Sequence, residues 1–375
     1  MSLLAFELYK IFKQKGIYLT LIVMLGMSYF SLGYPFQSDL EKEVYKSWEG
    51  PITEEKVRLA VGENAELMKK LEERRRSGGD EFKPEDIYSE RELIQLRVYQ
   101  KIMLSQTIET NATEKINRIE NENNAAGRME KQMLEQLELA PLQYHTGPAQ
   151  IVGFVEFGSF VVLGVMLLFG LSPIYSREYS SGVDHYIFSS RKGRRELVWA
   201  KLGASVIYTF FIVAAWETFS LVLNMMRHGN QGWGTSLQLF TQHTEAPYAG
   251  SPYGISLLNY HFLQLSIHFV GAIGLALMIV FISSVSKSSL ITFFAGSFIF
   301  FAPIMLEGVQ PIRTVLAFSY SSILRVQFLF EAFSVVNVLG YPVMYPIFAV
   351  VVVVVTSLLF ISIVFRIMKH REVMA

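Results

Sequence analysis

Glu156, Glu217, Asn224, Gln264, His268 and Glu307 stand within, or at the end of, stretches that are otherwise apolar. Titratable and amide side chains in such surroundings are costly and carry a functional expectation by default. Glu217 is the deepest, flanked by Ala214, Ala215, Trp216 and Phe219. Two chemistries suit the set: passage of a cationic or amphiphilic substrate, and proton exchange. A plainer reading, hydrogen bonds between helices or across a subunit interface, stands beside them. His243, His261 and His268 raise the question of a metal. Only His261 and His268 share a helix face, two turns apart, which is too far to grip one ion without other ligands, so no metal site is expected.

A second concentration of polar chemistry is Ser176–Lys201, SREYSSGVDHYIFSSRKGRRELVWAK, set between two apolar stretches. Gly182 allows a sharp turn. Val183, Tyr186, Ile187 and Phe188 form a small apolar face of the kind a partner's groove accepts, and SSRKGRREL supplies a polar turn. Arg191, Lys192, Arg194 and Arg195 also suit anionic headgroups, worth ~1 kcal/mol per basic residue near a membrane surface.

The apolar residues fall in blocks of about 20, the length that crosses a ~30 Å hydrocarbon layer. The 375 residues are 51% hydrophobic with zero net charge and a mean hydropathy of +0.32. The expected fold is an all-α polytopic membrane protein. Residues 1–16 read as an amphipathic surface helix, with Leu3, Leu4, Phe6, Leu8, Ile11 and Phe12 alternating with Lys10, Lys13 and Lys15. Spans are expected at 17–34, Ile151–Ile174, Leu202–Met226, Leu257–Val285, Leu290–Leu306 and Val343–Ile367. The alternative for the first, a signal peptide cut near Ser31 or Gly33, fits poorly with so long an amphipathic leader.

Residues 35–149 carry no spanning run and are rich in charge. Thr53 before Glu54 and Glu55, and SERE at Ser89–Glu92, are helix starts; Ile94, Val98 and Ile102 continue a stripe. A helical hairpin or small bundle is expected, with a turn at Arg74–Asp80. A disordered charged linker is the alternative. In the loop 227–256, Trp233, Tyr248 and Tyr253 suit a membrane interface. The apolar stretch Thr314–Leu339 holds Arg325 and Glu331 between Pro311 and Pro342. A seventh crossing there would put RIMKHR on the side opposite the other basic loops. The positive-inside rule therefore favours six spans, both termini cytoplasmic, 35–149 extracytoplasmic, and a re-entrant outer segment at 309–342.

This layout resembles the membrane subunits of ABC-2 type transporters over residues 1–34 and 150–375. The resemblance rests on Glu178, Gly182, Tyr186–Phe188, Ser189-Ser190-Arg191, Arg194 and Lys201, on the leader ELYKIFKQKG, and on the six-span count with a re-entrant segment. It implies that 175–201 is a coupling loop docking on a separate ATP-binding subunit. Arg177, Glu178, Gly182, Val183, Tyr186, Ile187 and Phe188 would make that contact. The implied assembly is two permease copies, or one and a relative, with two ATPase subunits that hold ATP and magnesium, in a bacterial plasma membrane. Export of an amphiphile, peptide antibiotic, lipid-linked compound or ion would follow. The long insertion 35–149 departs from simple members of that family. It keeps open a mechanotransmission or antibiotic-sensing complex that moves its outer helices without translocation, and a sensor or scaffold without an ATPase.

Chemistry within the chain itself finds little support. The sequence holds no glycine-rich phosphate loop ending in Gly-Lys-Ser/Thr, no HExxH, no GxSxG and no basic–aromatic nucleic-acid face. It has no cysteine, which excludes thiol catalysis and cysteine metal sites. No cofactor is expected in this chain.

Overall fold

The computed structural model describes residues 2–31, 39–77, 88–120, 124–190, 193–242 and 245–371. Arg191, Lys192, His243, Gly33 and the end of the Arg74–Asp80 turn lie outside these residues. The chain is overwhelmingly helical. α1 (Leu3–Phe12) opens on Ser2, whose hydroxyl accepts from the Ala5 amide at 3.2 Å. α1 buries Glu7 and Ile11 and turns Phe6 and Tyr9 outward. α2 (Lys15–Ser31) follows.

The charged segment between the first two apolar stretches is built from α3 (Asp39–Trp48), α4 (Glu54–Ser77), α5 (Glu90–Glu120) and α6 (Ala125–Glu135). The expected starts are present. Thr53 Oγ1 accepts from the Lys56 amide at 3.2 Å. Ser89 and Glu92 form a reciprocal capping box, Ser89 N donating to Glu92 Oε2 at 2.9 Å and Glu92 N to Ser89 Oγ at 3.3 Å. Ile94, Val98 and Ile102 are buried against Val44, Tyr45, Ala60 and Leu71, so the segment has its own apolar core. A two-residue bridge between Gly50 and Leu142, with both backbone bonds at 2.9 Å, closes it.

Among the described residues, four helices are long and apolar enough to cross a membrane. The first is a 35-residue rod, Thr146–Ser180, made of α7 (Thr146–Leu171) and α8 (Pro173–Ser180). Pro173 at the first turn of α8 marks the joint. Serines hold this joint: Ser283 Oγ accepts from the Tyr175 and Ser176 amides at 3.0 and 3.1 Å and donates to Ser172 O at 2.8 Å. The others are α10 (Arg195–His228), α11 (Leu257–Val285) and α16 (Tyr345–His370). α12 (Ser289–Met305), like α2, is apolar but shorter, ~26 Å for 17 residues. α7 and α11 are the most enclosed, and α16 presents most of its surface outward. The core they share runs through Leu163, Leu167, Tyr208, Trp216, Leu275, Ile279 and Phe300.

Helix boundaries differ from the sequence expectations where polar residues are sheltered. α10 starts at Arg195 rather than Leu202, because Leu197, Val198, Ala200 and the stem of Lys201 are all buried. α16 starts at Tyr345, since Val343 and Met344 belong to a strand. Thr314–Leu339, expected as re-entrant or surface half-helices, is three single turns, α13 (Arg313–Leu316), α14 (Tyr320–Leu324) and α15 (Gln327–Phe330), followed by a hairpin. Strand β1 (Val335–Val338) pairs antiparallel with β2 (Tyr341–Met344), Val338 opposite Tyr341. The two turn residues, Leu339 and Gly340, both have positive φ, 52° and 94°. That is the requirement of a tight hairpin turn.

Gly147, in the first turn of α7, lies against the end of α10. A Cβ there would stand 2.0 Å from the Gly229 carbonyl oxygen. Gly147→Ala is therefore expected to wedge the outer ends of α7 and α10 apart, at the ~1–3 kcal/mol typical of overpacking. The check is thermal unfolding in detergent, with Gly250→Ala, which adds a methyl into open space, as the unchanged control.

Candidate functional site

The Ser176–Lys201 island folds as the end of α8, a turn, and α9 (Asp184–Ser189). Gly182 sits at φ 69°, the left-handed conformation that suits glycine, and reverses the chain between the two helices. A Cβ on Gly193 would meet the Ile187 carbonyl oxygen, so the return into α10 also needs glycine.

Glu178 is not a solvated loop acid; it is 7% exposed. It pairs with Lys10 of α1 and, at 2.8 Å, with Lys201 of α10. Lys201, fully buried, also donates to Glu7 Oε2 at 3.0 Å and to the Ile174 carbonyl at 2.6 Å, and its ammonium lies 4.9 Å from the Tyr175 ring centroid. Lys10 closes the ring by donating to Glu7 Oε1 at 2.8 Å. Two acids and two bases thus alternate, so each charge removed from water has opposite charges beside it, the condition for tolerating buried ions. Burial alone pulls the Lys10 ammonium down, but Glu178 and then Glu7 outweigh it and hold it above the ordinary lysine value. The network joins three elements: the leader helix, the island and the long helix α10.

The loop pattern that carries the resemblance already held Glu178 and Lys201, as separate positions. Glu7 was legible in a different way: it is an acid on the apolar Leu4–Leu8–Ile11 side of the leader. Only the fold brings the four together.

The surface beyond the network differs from the expectation in one respect. Tyr186 is 79% exposed and Val183 and Arg177 are exposed, as a docking face requires. Phe188 is buried and packs inward against Tyr179 and the Arg371 guanidinium, while Ile187 is half-buried. The exposed tip is therefore Arg177, Val183 and Tyr186; Phe188 anchors α9 to the body. The basic residues have local work too. Arg194 donates to the Lys369 carbonyl at 2.9 Å and Arg371 to the Ser284 carbonyl at 3.1 Å, covering the last turns of α16 and α11.

The polar residues inside the spans fall into three groups. Glu156 accepts from Tyr248 and, at 2.6 Å, from Tyr260. Tyr248 was expected at a membrane interface and is instead fully buried on this carboxylate. Glu217 meets His268 at 3.1 Å, and His268 faces the Leu324 carbonyl through its other ring nitrogen at 3.2 Å. Asn224 and Gln264 are fully buried nearby in sequence. Glu307 stands apart, paired with Arg325 at the rim of a cavity of about 780 Å³ that Arg313, Phe318, Phe328, Glu331 and Tyr345 also line. Its mixture of cations, acids and aromatic rings suits an amphiphile. Among the described residues, no group of three or more His, Asp or Glu side chains converges as a metal site would require.

One buried pair had no signal in the sequence. Lys101 of α5 donates to His145 Nε2 at 2.8 Å, and His145 Nδ1 donates to the Gln143 carbonyl at 2.7 Å. Burial, then the Lys101 charge, pushes the imidazole down to about 3, so it is neutral and this tautomer follows. Burial likewise lowers Lys101 to about 8. His145 precedes the first turn of α7, so this contact mounts the α3–α6 domain on the rod. Thr146 donating to Glu41 at 3.2 Å and Ala140 N to Ser236 Oγ at 2.7 Å complete the mount.

Compared with known protein families, with curated proteins and with solved structures, the chain matches none of them.

Proposed function

We propose that this chain is the permease subunit of an ATP-binding cassette transporter, working as a dimer with a separate pair of ATPase subunits. The observation that carries this reading is the buried Glu7–Lys10–Glu178–Lys201 ring, which ties an exposed apolar tip to the leader and to α10. A push on Tyr186 and Val183 would reach the spans through rigid, paired groups rather than through a loose loop. In this reading α2 and α12 complete six spans, both termini and the island are cytoplasmic in a bacterial plasma membrane, and the helical domain is outside. The basic ends of α1, α10 and α16 then share the cytoplasmic side, in keeping with the positive-inside rule. An exported amphiphile, peptide antibiotic, lipid-linked compound or ion is the expected cargo, with the Arg325–Glu307 cavity as its outer station.

A second reading is favoured by the rod Thr146–Ser180. One continuous element begins under the outer domain, at His145 and Thr146, and ends in Glu178. Such a strut would also serve an ABC complex that moves its outer helices without translocating anything.

The test is purification of the chain in mild detergent from its own cells. An ATP-hydrolysing soluble protein is expected to accompany it, and Tyr186→Asp is expected to release it while leaving thermal stability intact, because Tyr186 is exposed. A preparation free of ATPase, or a Tyr186→Asp variant that retains it, would overturn the permease reading. Removing residues 39–142 then separates the two versions: export persists in the first and coupling loses its target in the second.

A further inference from the structure

α10 carries Glu217, Ser220, Asn224 and His228 at spacings of three, four and four, which is one face of a helix. All four are buried. Each has a side-chain atom that is enclosed and has no hydrogen-bond partner: Glu217 Oε2, Ser220 Oγ, Asn224 Oδ1 and His228 Nδ1. A single orphaned polar atom costs ~1–3 kcal/mol, a cost that water along the stripe would relieve.

α11 meets this stripe at His268, and Gln264 and His261 continue its buried polar face, with Gln264 donating to the Val152 carbonyl of α7 at 3.3 Å and meeting His261 at 3.2 Å. Glu217 contacts His268 at 3.1 Å. The helices run antiparallel, so Asn224 and His261, each seven residues nearer the loop end, stand at one level ~10 Å above that pair, with Ser220 and Gln264 between. Gln264 is fully buried and His261 nearly so. The polar seam therefore extends ~16 Å from His228, at the loop end of α10, to Glu217.

The end of the seam is an acid–base pair with a defined proton count. His268 Nε2 faces the Leu324 carbonyl, so that nitrogen bears a hydrogen. The Nδ1···Oε1 contact holds one more proton, shared between imidazole and carboxyl, and the pair is neutral. The orphaned Glu217 Oε2 is the free acceptor. We propose that the α10–α11 seam is a hydrated path from the end of the helices beneath the outer domain, delivering protons to Glu217. A hydronium arriving along it transfers its proton to Oε2, leaving water and a pair of net charge +1. The charged or titratable side chains around these helices include Glu156 of α7, Tyr208, Arg227 and His228 of α10, Tyr248 of the loop, Tyr260 and His261 of α11, Tyr320 of α14 and Arg325 after it, and Tyr345, Arg366, Lys369 and His370 at the ends of α16. Glu7, Lys10 and Glu178 lie at the Lys201 end. The proposal is independent of any ATPase.

Because the chain has no cysteine, single-cysteine variants test this directly. A membrane-impermeant methanethiosulfonate reagent attacks a hydrated thiolate. In proteoliposomes of the full chain, Ser220→Cys and Asn224→Cys are expected to react at least about tenfold faster than Val222→Cys, whose side chain faces away from the seam. In nanodiscs moved into deuterium oxide at fixed pH, the His268 ring nitrogen signals, assigned with His268→Gln, are expected to show an isotope shift as the shared proton exchanges along the path. Labelling at 220 and 224 no faster than at 222 overturns the path. His268 signals that show no isotope shift overturn the proton loading.

Discussion

Lys201→Met is expected to be among the most damaging single substitutions in this chain. Lys201 is fully buried and donates to Glu7, Glu178 and the Ile174 carbonyl. Methionine keeps the length and volume of the stem but removes the charge. Two buried carboxylates then share one cation, Lys10, and the Ile174 carbonyl loses its donor. Breaking a buried ion pair from one side costs ~3–5 kcal/mol, because the remaining charge stays in a poor solvent. The double change Lys201→Met with Glu178→Gln leaves Glu7 and Lys10 as a balanced pair and is expected to recover part of that loss. Thermal unfolding of the three proteins in nanodiscs checks this. A double variant no more stable than Lys201→Met would show that charge balance is not what the ring supplies. Under the permease reading, the double variant would also be stable yet uncoupled, since α1 and α10 would no longer be tied to the island by charge.

Acidification is expected to unseat the α3–α6 domain through His145. An ordinary histidine titrates near 6.5, and burial holds this one at about 3. Between those values the unfolded junction binds a proton that the folded junction refuses. Stability is therefore full above pH 6.5, and falls as pH drops toward 3. The loss reaches ~3 kcal/mol at pH 4. Lys101 adds no slope there, because it is protonated in both states below its lowered value of about 8. The reporters are the amides of Gly50 and Leu142, which bond across the closing bridge at 2.9 Å. Their hydrogen-exchange protection is expected to fall from pH 6 to pH 4 in the wild type. His145→Gln, which can accept from Lys101 at any pH, is expected to hold protection constant over that range. Equal losses in both proteins would place the acid sensitivity elsewhere.

The membrane character and the helices were legible in the residues, because both depend on local quantities. Apolar run length marks a spanning segment, and α11 was bounded correctly at Leu257–Val285 for that reason. The Ser89–Glu92 box and the Ile94–Val98–Ile102 stripe are likewise short-range patterns, and both are present. Boundaries failed where burial, not composition, decided them. Lys201 reads as the polar edge of a loop, yet three partners from other elements let α10 carry it inside. Phe188 reads as a docking residue, and Arg371, 183 residues away, covers it instead. Tyr248 reads as interfacial until a carboxylate on α7 claims its hydroxyl. Lys101 and His145 carry no mark in the sequence at all, since a buried cation–imidazole contact depends only on which surfaces meet. The sequence by itself determined which segments are helical and greasy, and which polar residues are out of place among them. The tertiary structure alone decided which of those residues face one another, because a buried charge is tolerated only where distant parts of the chain deliver its partner.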